Sequence, residues 1–305
     1  MKGAKAILRD VYKSIPLTRN LFILLRSLYI PPRSVHQHLY FRGRFKVSIK
    51  GKHFYMVNHQ SALETSVFWG GIFAGWEQES QRLWADLCKK SQTILDIGAN
   101  TGLYSLIAKC VNPEAEVYSF EPIPRIYAKL TENCRINRFD IHHRSYAISN
   151  SDGESIIYDL PTDHHLHASL CEDELSHLNG ELIKRKVVTK RLSTFITEEK
   201  IDDIHLMKID VEGHEVEVLR GMGKYLEEMQ PNILVEIKRD AVADEIEKLL
   251  ENLDYVRFDI DEVEGPKMLT ELRRSSAHNC LICDRLSARE LDLITAHQII
   301  KGEST

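Results

Sequence analysis

The sequence predicts an α/β fold, in which a parallel, Rossmann-like sheet is wrapped by helices and preceded by an N-terminal extension. From Thr93 onward, short runs rich in β-branched residues alternate with longer amphipathic segments, a pattern typical of strand–helix–strand units. A turn with two glycines, Gly98–Gly102, directly follows the first strand and the acid Asp96 near its end. Two strands end in acids, Glu121 and Asp210, at the sheet edge where such folds bind ligands.

Length and composition indicate one large domain. The chain has 305 residues and 43% hydrophobic content, enough to bury a sizeable core. We expect a basic extension and cap at residues 1–74, the main domain at 75–290 and a tail at 291–305. The net charge of -5 gives the chain as a whole no cationic footprint for nucleic acid, so we expect no nucleic-acid partner.

The N-terminal segment differs in charge from the rest of the chain. Residues 1–52 carry twelve Lys or Arg and a single acid, Asp10. Their apolar block, residues 21–30, is too short to span a bilayer, and the Pro31-Pro32 that follows does not resemble a signal-peptide cleavage site. We therefore expect a cytoplasmic protein. Two interpretations of the block stay open: a helix that covers the domain's own core, which is favoured, and peripheral contact with the anionic inner face of a membrane.

The predicted elements follow one another in the order of a doubly wound sheet. An irregular insertion between the third and fourth core strands holds a His-rich segment at 163–167 and two further strands. The last two core strands are expected to form the antiparallel hairpin that closes a seven-stranded sheet. The predicted core strands are Ile94–Ile97, Glu116–Glu121, Ile141–Ile148, Ile204–Asp210, Asn232–Glu236, Tyr255–Ile260 and Asn279–Cys283, the insertion strands are Ser155–Tyr158 and Lys186–Thr189, and the main helices begin near Gly102, Pro124, Glu212 and Ala241.

The cysteines have no predicted function. Six cysteines are few for a disulfide scaffold of this length, and we expect reduced thiols. Cys280 and Cys283 have CxxC spacing, but they lie in an apolar run without a second ligand pair, so neither a zinc site nor a redox site is predicted.

The turn at Asp96–Gly102 predicts a nucleoside-cofactor site. Its glycines allow a tight turn, and the following helix directs backbone N–H groups at the same place. The spacing G-x-x-x-G lacks the middle glycine of dinucleotide-binding loops, which disfavours a nicotinamide or flavin cofactor. Glu121 ends the next strand, where a carboxylate can accept hydrogen bonds from both ribose hydroxyls. S-adenosylmethionine (SAM) fits this combination, and the predicted cofactor residues are Asp96, Gly98, Asn100, Thr101, Gly102, Glu121 and Ala147; in an alternative interpretation Asp96 only orients the loop from below.

Several motifs together resemble the FkbM family of SAM-dependent methyltransferases. They cover about residues 75–285, and the Asp-Val-Glu-Gly element at 210–213 is the most distinctive. The resemblance implies a class I methyltransferase sheet and methyl transfer to a hydroxyl of a polyketide, a sugar or a related metabolite, without identifying the acceptor. His214 departs from the family, in which many members carry a small residue. The motifs are Leu95–Ser105, Phe120–Pro122, Ala147–Ser149 with Gly153, Lys208–Glu215, Val218–Gly221 and Leu234–Glu236.

Methyl transfer to oxygen requires a group that holds the acceptor hydroxyl and removes its proton. Asp210 is the best-placed candidate, because it ends a core strand on the cofactor side of the sheet; it could also bind a metal with Glu236 or cap the next helix. His214 is the second candidate base, with a solvated position as an equal alternative. We predict that the insertion contacts the acceptor and that no metal is bound. The predicted substrate-binding residues are His165, His167, Ser169 and Glu236.

Three other functions are weighed against O-methylation of a small-molecule, glycan or polyketide-type acceptor. An N-methyltransferase is disfavoured because no [DN]-P-P-[FYW] element for a flipped amino group follows the fourth core strand. An NAD-dependent oxidoreductase is the least favoured, because the loop lacks the middle glycine. A SAM-binding scaffold without catalysis stays open, and so does the oligomeric state.

Overall fold

The computed structural model describes residues 18–160, 168–170, 182–274 and 278–295, which form three sheets flanked by helices. The strands of this part of the chain are β1 Arg42–Ile49, β2 Lys52–His59, β3 Thr93–Ile97, β4 Glu116–Phe120, β5 His142–Arg144, β6 Ala147–Ser149, β7 Gly153–Asp159, β8 Ala168–Ser169, β9 Ile183–Arg191, β10 Leu206–Ile209, β11 Asn232–Glu236, β12 Val256–Asp261, β13 Gly265–Leu269 and β14 Asn279–Cys283. Its helices are α1 Thr18–Leu28, α2 Arg33–His36, α3 Ala62–Gly70, α4 Gln78–Cys88, α5 Leu103–Val111, α6 Pro124–Asn137, α7 Leu192–Glu199, α8 Glu215–Met222, α9 Tyr225–Met229, α10 Asp240–Leu250 and α11 Arg285–Glu290.

The central sheet has the strand order β13-β12-β14-β11-β10-β3-β4-β5. Strands β5, β4, β3, β10 and β11 are parallel, and β14 runs antiparallel to β11 and β12. The predicted Rossmann-like sheet and its closing antiparallel pair are therefore confirmed, with β13 as an eighth strand at the edge. Because the chain leaves β3 toward β4 and later returns to β10, the strand order reverses between β3 and β10, which is where doubly wound folds bind ligands.

Two predicted boundaries are wrong. The third strand does not run unbroken from 141 to 148, because a bend at residues 145–146 divides it into β5 of the central sheet and β6 of a second sheet. The helix predicted from Glu212 begins at Glu215, since Glu212 (φ 55°) and Gly213 (φ 93°) adopt left-handed backbone conformations that a right-handed helix excludes.

The insertion forms a four-stranded sheet with the order β6-β9-β7-β8. Its two predicted strands are present and longer than expected, as β7 and β9, and they pair antiparallel. Helix α8 packs closely on this sheet: a Cβ at Gly221 would lie 2.0 Å from the Ser149 carbonyl oxygen. The insertion is thereby held beside the carboxyl ends of β4 and β10. The His-rich segment at 163–167 lies outside the described residues.

The two faces of the central sheet are covered by different parts of the chain. On one face, Phe45 and Trp69, which precede the central sheet in the chain, share an apolar core with Ile94 of β3 and Leu106 of α5. On the other face, the core is built around helices α7, α8 and α10. The part of the chain that precedes β3 thus covers one face of the central sheet. The domain division between residues 74 and 75 stays a prediction.

Two further sequence predictions concern thiols and membrane spans. The five described cysteines are free and buried, with Cys280 and Cys283 inside β14, whereas Cys171 lies outside the described residues. Across the described part of the chain, none of the helices combines the length and apolar character needed to cross a bilayer.

Candidate active site

A cavity of about 560 Å³ opens at the carboxyl ends of β3, β4, β10 and β11, in the size range of small-molecule sites. We divide it into two ends. The β3–β4 end is lined by residues 96–100, Phe120–Ile123, Ile126 and Tyr146–Ile148, with Ile157 and Leu170 from the insertion. The β10–β11 end is lined by Tyr104, Lys208, Asp210, Glu212, Glu236 and Lys238, and it is roofed from the N-terminal half by Arg33, Leu63, Trp76 and Glu77.

The loop after β3 is held by backbone contacts. The N–H groups of Gly98 and Ala99 donate to the Phe120 carbonyl at 3.0 and 2.9 Å. Gly98 has φ 83°, and a Cβ there would lie 1.8 Å from the Asp210 carbonyl oxygen. Glycine is therefore required at position 98 for the close approach of two protein loops, in addition to the turn that the sequence predicts.

Asp96 is buried beneath this loop but also lines the cavity. Its Oδ2 accepts a hydrogen bond from Ser105 Oγ at 2.5 Å, and Ser105 Oγ is 2.6 Å from Ser119 Oγ. Burial raises the pKa of Asp96, and the Lys208 ammonium opposes that shift. Asp96 thus connects β3 to α5, which supports the interpretation that it orients the loop from below.

Glu121 follows β4 and is 5% exposed. Its Oε2 accepts from the Asn100 N–H at 3.1 Å, and its Oε1 accepts from the Ile123 N–H at 2.9 Å. Burial raises the pKa of Glu121 to about 8. Since a carboxylate has about four lone-pair sites, two remain for ligand donors such as ribose hydroxyls, and these residues fit the nucleoside part of SAM.

The other predicted cofactor residues divide into two groups. Asn100 and Ala147 line the cavity beside Gly98. Thr101 and Gly102 do not belong to its lining: the Thr101 carbonyl accepts from Asn133 Nδ2 at 2.8 Å, and Gly102 (φ 89°) faces Leu130. Both residues support the loop from behind.

The β10–β11 end is organised around an ion pair between the buried Lys208 and the half-buried Asp210. Lys208 Nζ lies 2.7 Å from Asp210 Oδ2 and 4.5 Å from the centre of the Tyr104 ring. Burial opposes the charge of Lys208, but Asp210, Glu77 and Asp96 together raise its pKa above the ordinary value. Burial likewise opposes ionisation of Asp210, and Lys208 outweighs it, so that the pKa of Asp210 is lowered. The pair therefore presents the ionised carboxylate of Asp210 to the cavity.

Three carboxylates of this end lie close enough together to hold a cation. Oxygen atoms of Asp210, Glu212 and Glu236 lie within 4.8 Å of one another. Lys238 Nζ, however, contacts both Glu212 and Glu236, at 2.9 Å from the latter. Burial and the neighbouring carboxylates raise the pKa of Glu236 well above its ordinary value. The ammonium groups of Lys238 and Lys208 already compensate this cluster, which disfavours a metal there.

Of the remaining predicted site residues, His214 and Ser169 lie away from the cavity lining. His214 Nε2 is 2.9 Å from Ser149 Oγ, so the ring connects α8 with β6. Ser169 is fully buried and donates to the Glu212 carbonyl. Of the predicted substrate residues, Glu236 lines the cavity; His165 and His167 lie outside the described residues.

The loop after β10 is stabilised by Glu215, not by Asp210. Glu215 Oε1 accepts from the Val211 N–H at 3.3 Å and from the Gly213 N–H at 3.0 Å. Burial raises the pKa of Glu215 to about 7. Asp210 is thereby left to face Lys208 and the cavity.

Sequence reasoning assigned no role to Lys208, Lys238, Tyr104 or Glu77. Lys208 has a detectable signal: it is the charged residue within a strand whose four positions are all buried, and it lies two positions before Asp210 on the same strand face. Tyr104 donates to Glu77 Oε2 at 2.7 Å, a contact between segments far apart in sequence that no local pattern predicts.

The chain is similar in sequence to known methyltransferases. The methyltransferase FkbM domain matches residues 96–257. Methyltransferase sdnD of Sordaria araneosa is 30% identical over 192 residues, covering 53% of this chain and 73% of sdnD. Hexuronic acid methyltransferase AglP of Haloferax volcanii is 28% identical over 174 residues, covering 57% of this chain and 67% of AglP. The 2-O-methyltransferase NoeI of Sinorhizobium fredii is 30% identical over 154 residues, covering 44% of this chain and 58% of NoeI.

The matched region contains the loop after β3, Glu121, the Lys208–Asp210 pair and β11 with Glu236. It therefore includes both ends of the cavity except for the roof from the N-terminal half and the residues after β12. The chain belongs to the FkbM methyltransferase family and is an enzyme that transfers a methyl group from SAM.

Proposed function

We propose that this enzyme methylates a hydroxyl group of a small-molecule or glycan acceptor, with Asp210 as the group that takes the proton. The observation that carries the proposal is the Lys208–Asp210 ion pair in the cavity wall, at 2.7 Å. Lys208 keeps Asp210 ionised, so that its free lone pairs can accept a hydrogen bond from the acceptor hydroxyl.

When bound, SAM would supply an electrophilic methyl group, with the neutral thioether S-adenosylhomocysteine as the leaving group. The chain's own residues orient the acceptor and remove its hydroxyl proton. As the acceptor oxygen bonds to the methyl carbon, its proton passes to Asp210, and the neighbouring lysine stabilises the carboxylate before this transfer. Glu236 lies beside Asp210 and has a raised pKa, so its protonated form can donate to the same acceptor.

The acceptor class rests on two kinds of support. Two relatives are named for sugar acid methylation and for 2-O-methylation, AglP and NoeI. The β10–β11 end also presents several carboxyl groups and the exposed indole of Trp76, groups that suit a polyhydroxylated ring. We keep a cytoplasmic site of action, as predicted from the sequence.

A direct test combines binding and transfer. Calorimetry of the full chain should show binding of SAM and S-adenosylhomocysteine and none of NAD. Labelled SAM offered with sugars, sugar acids, polyketide alcohols and amines should label a hydroxyl acceptor, with Asp210→Asn as the inactive control. Labelling of amines with every alcohol inactive would favour N-methylation, and SAM binding without transfer to any acceptor would favour a scaffold.

A further inference from the structure

Helix α1 has two apolar sides. On its inner side, Phe22 is buried, with its ring 5.5 Å from that of Trp69 and 6.3 Å from that of Phe41. On its outer side, three leucines at i, i+3 and i+7 spacing form a row of neighbours on the helix surface. The row continues into the next residues, and we call the five exposed side chains the α1 stripe: Leu21 (60% exposed), Leu24 (59%), Leu28 (79%), Tyr29 (59%) and Ile30 (50%).

The surroundings of the α1 stripe are strongly basic. Residues 18–52 contain eight Lys or Arg and no Asp or Glu. On β1, Arg42, Arg44 and Lys46 alternate with buried or half-buried residues, so they share the exposed strand face. Arg19 Nε donates to the Arg44 carbonyl at 2.6 Å, which joins the start of α1 to this basic strand.

The α1 stripe is also linked to the cavity, both by sequence and by packing. Arg33, three residues after Ile30, lines the cavity with Trp76, whose side chain is 47% exposed. Phe22 packs on Trp69 of α3, and Leu63 of the same helix lines the cavity. The exposed apolar residues and the cavity roof therefore belong to one packed unit.

We propose that the α1 stripe and the basic face of β1 dock on the anionic surface of a lipid bilayer, with the cavity roof near the interface. Large apolar side chains flanked by Lys and Arg suit such a surface, because the apolar groups enter the headgroup region while the cations pair with anionic lipids. A wholly apolar partner would match the stripe alone, whereas an anionic bilayer matches both the stripe and the basic face of β1.

Vesicle flotation of the full chain tests this docking without relying on catalysis. Binding should be weak on phosphatidylcholine and should increase with added phosphatidylglycerol and decrease with salt. The double variant Leu24→Ser/Leu28→Ser should lower the partition coefficient by at least about tenfold. Each of Arg42→Gln and Lys46→Gln should lower it by about fivefold. The matched control Val263→Ser/Leu286→Ser removes two apolar side chains that are 87% and 65% exposed elsewhere, and should bind as the wild type does.

Three results would overturn the proposal. One is flotation that does not respond to phosphatidylglycerol. The second is light scattering that shows a dimer broken by the stripe variant, which would assign the stripe to a second copy. The third is lipid binding that survives in the stripe variant and disappears when the basic residues of 1–17 are neutralised. Melting curves and SAM calorimetry on each variant separate a docking defect from misfolding or from failure of the proposed function.

Discussion

At the β3–β4 end of the cavity, carboxyl groups are held by neutral donors, whereas at the β10–β11 end they lie beside ammonium groups. Glu121 accepts two backbone N–H groups, and burial raises its pKa to about 8. Asp210 contacts Lys208, and its pKa is lowered. The difference separates two tasks: Glu121 offers acceptor sites for a bound nucleoside, and Asp210 is kept ionised to take a proton.

The largest expected effect comes from neutralising the ionised carboxylate. Asp210→Asn should lower kcat by roughly 10²–10⁴-fold, because the acceptor hydroxyl loses its proton acceptor. The SAM dissociation constant should stay within about threefold, since the β3–β4 end is unchanged. Single-turnover kinetics with an identified acceptor and SAM calorimetry measure the two quantities.

A matched variant sharpens this result. Glu212→Gln removes a carboxylate of the same cluster that contacts Lys238 instead of Lys208, and should cost less than about tenfold in kcat. If both variants lose activity equally, the effect belongs to the charge of the cluster and not to Asp210.

The contact between the two ends can be broken by one methyl group. Gly98→Ala places a Cβ 1.8 Å from the Asp210 carbonyl oxygen, so we expect a loss of about 2–4 kcal/mol in unfolding free energy. Gly51→Ala is the control, since Gly51 has the same φ of 83° with no atom within 4 Å of its added Cβ. Chemical denaturation compares them, and equal losses would assign the effect to backbone strain alone.

The two ends also differ in how well the sequence predicts them. Asp96 lies near the end of β3, and Gly98 and Glu121 follow β3 and β4, so the strand and turn pattern predicts their common edge of the sheet. The β10–β11 end is assembled from distant segments: Glu77 meets Tyr104 only because the chain before β3 packs on the same face of the sheet as α5. Local patterns carry no information about that packing.

His214 shows why proximity in sequence misleads. It lies four residues after Asp210, which suggested a shared site. The left-handed conformations of Glu212 and Gly213 turn the chain between them, and the imidazole instead meets Ser149 of the insertion sheet. Gly98 and Gly102 were correctly assigned to the loop, but their close neighbours are Asp210 and Leu130, which only tertiary structure reveals.

A smaller effect is expected at Glu121. Because its pKa is higher in the folded chain than in the unfolded chain, protonated Glu121 stabilises the fold. This contribution is fully present below pH 4.5 and is lost as the pH rises to about 8. The ionised form is the better acceptor, so SAM affinity should increase over the same range. Glu121→Gln should weaken SAM binding about tenfold at high pH and flatten both pH profiles. Glu116→Gln, on the same strand with an exposed side chain, is the control; a pH-dependent affinity that persists in Glu121→Gln would remove Glu121 from the ribose site.

The smallest effect is expected from removal of divalent cations. Because Lys208 and Lys238 already compensate Asp210, Glu212 and Glu236, EDTA should change the wild-type rate by less than about twofold. Lys238→Met removes one compensating charge and leaves two carboxylates free for a hard cation, so this variant should gain a Mg²⁺-dependent rise in melting temperature that the wild type lacks. A wild-type enzyme that EDTA inactivates and Mg²⁺ restores would show that the cation displaces Lys238, and the β10–β11 end would then be a metal site.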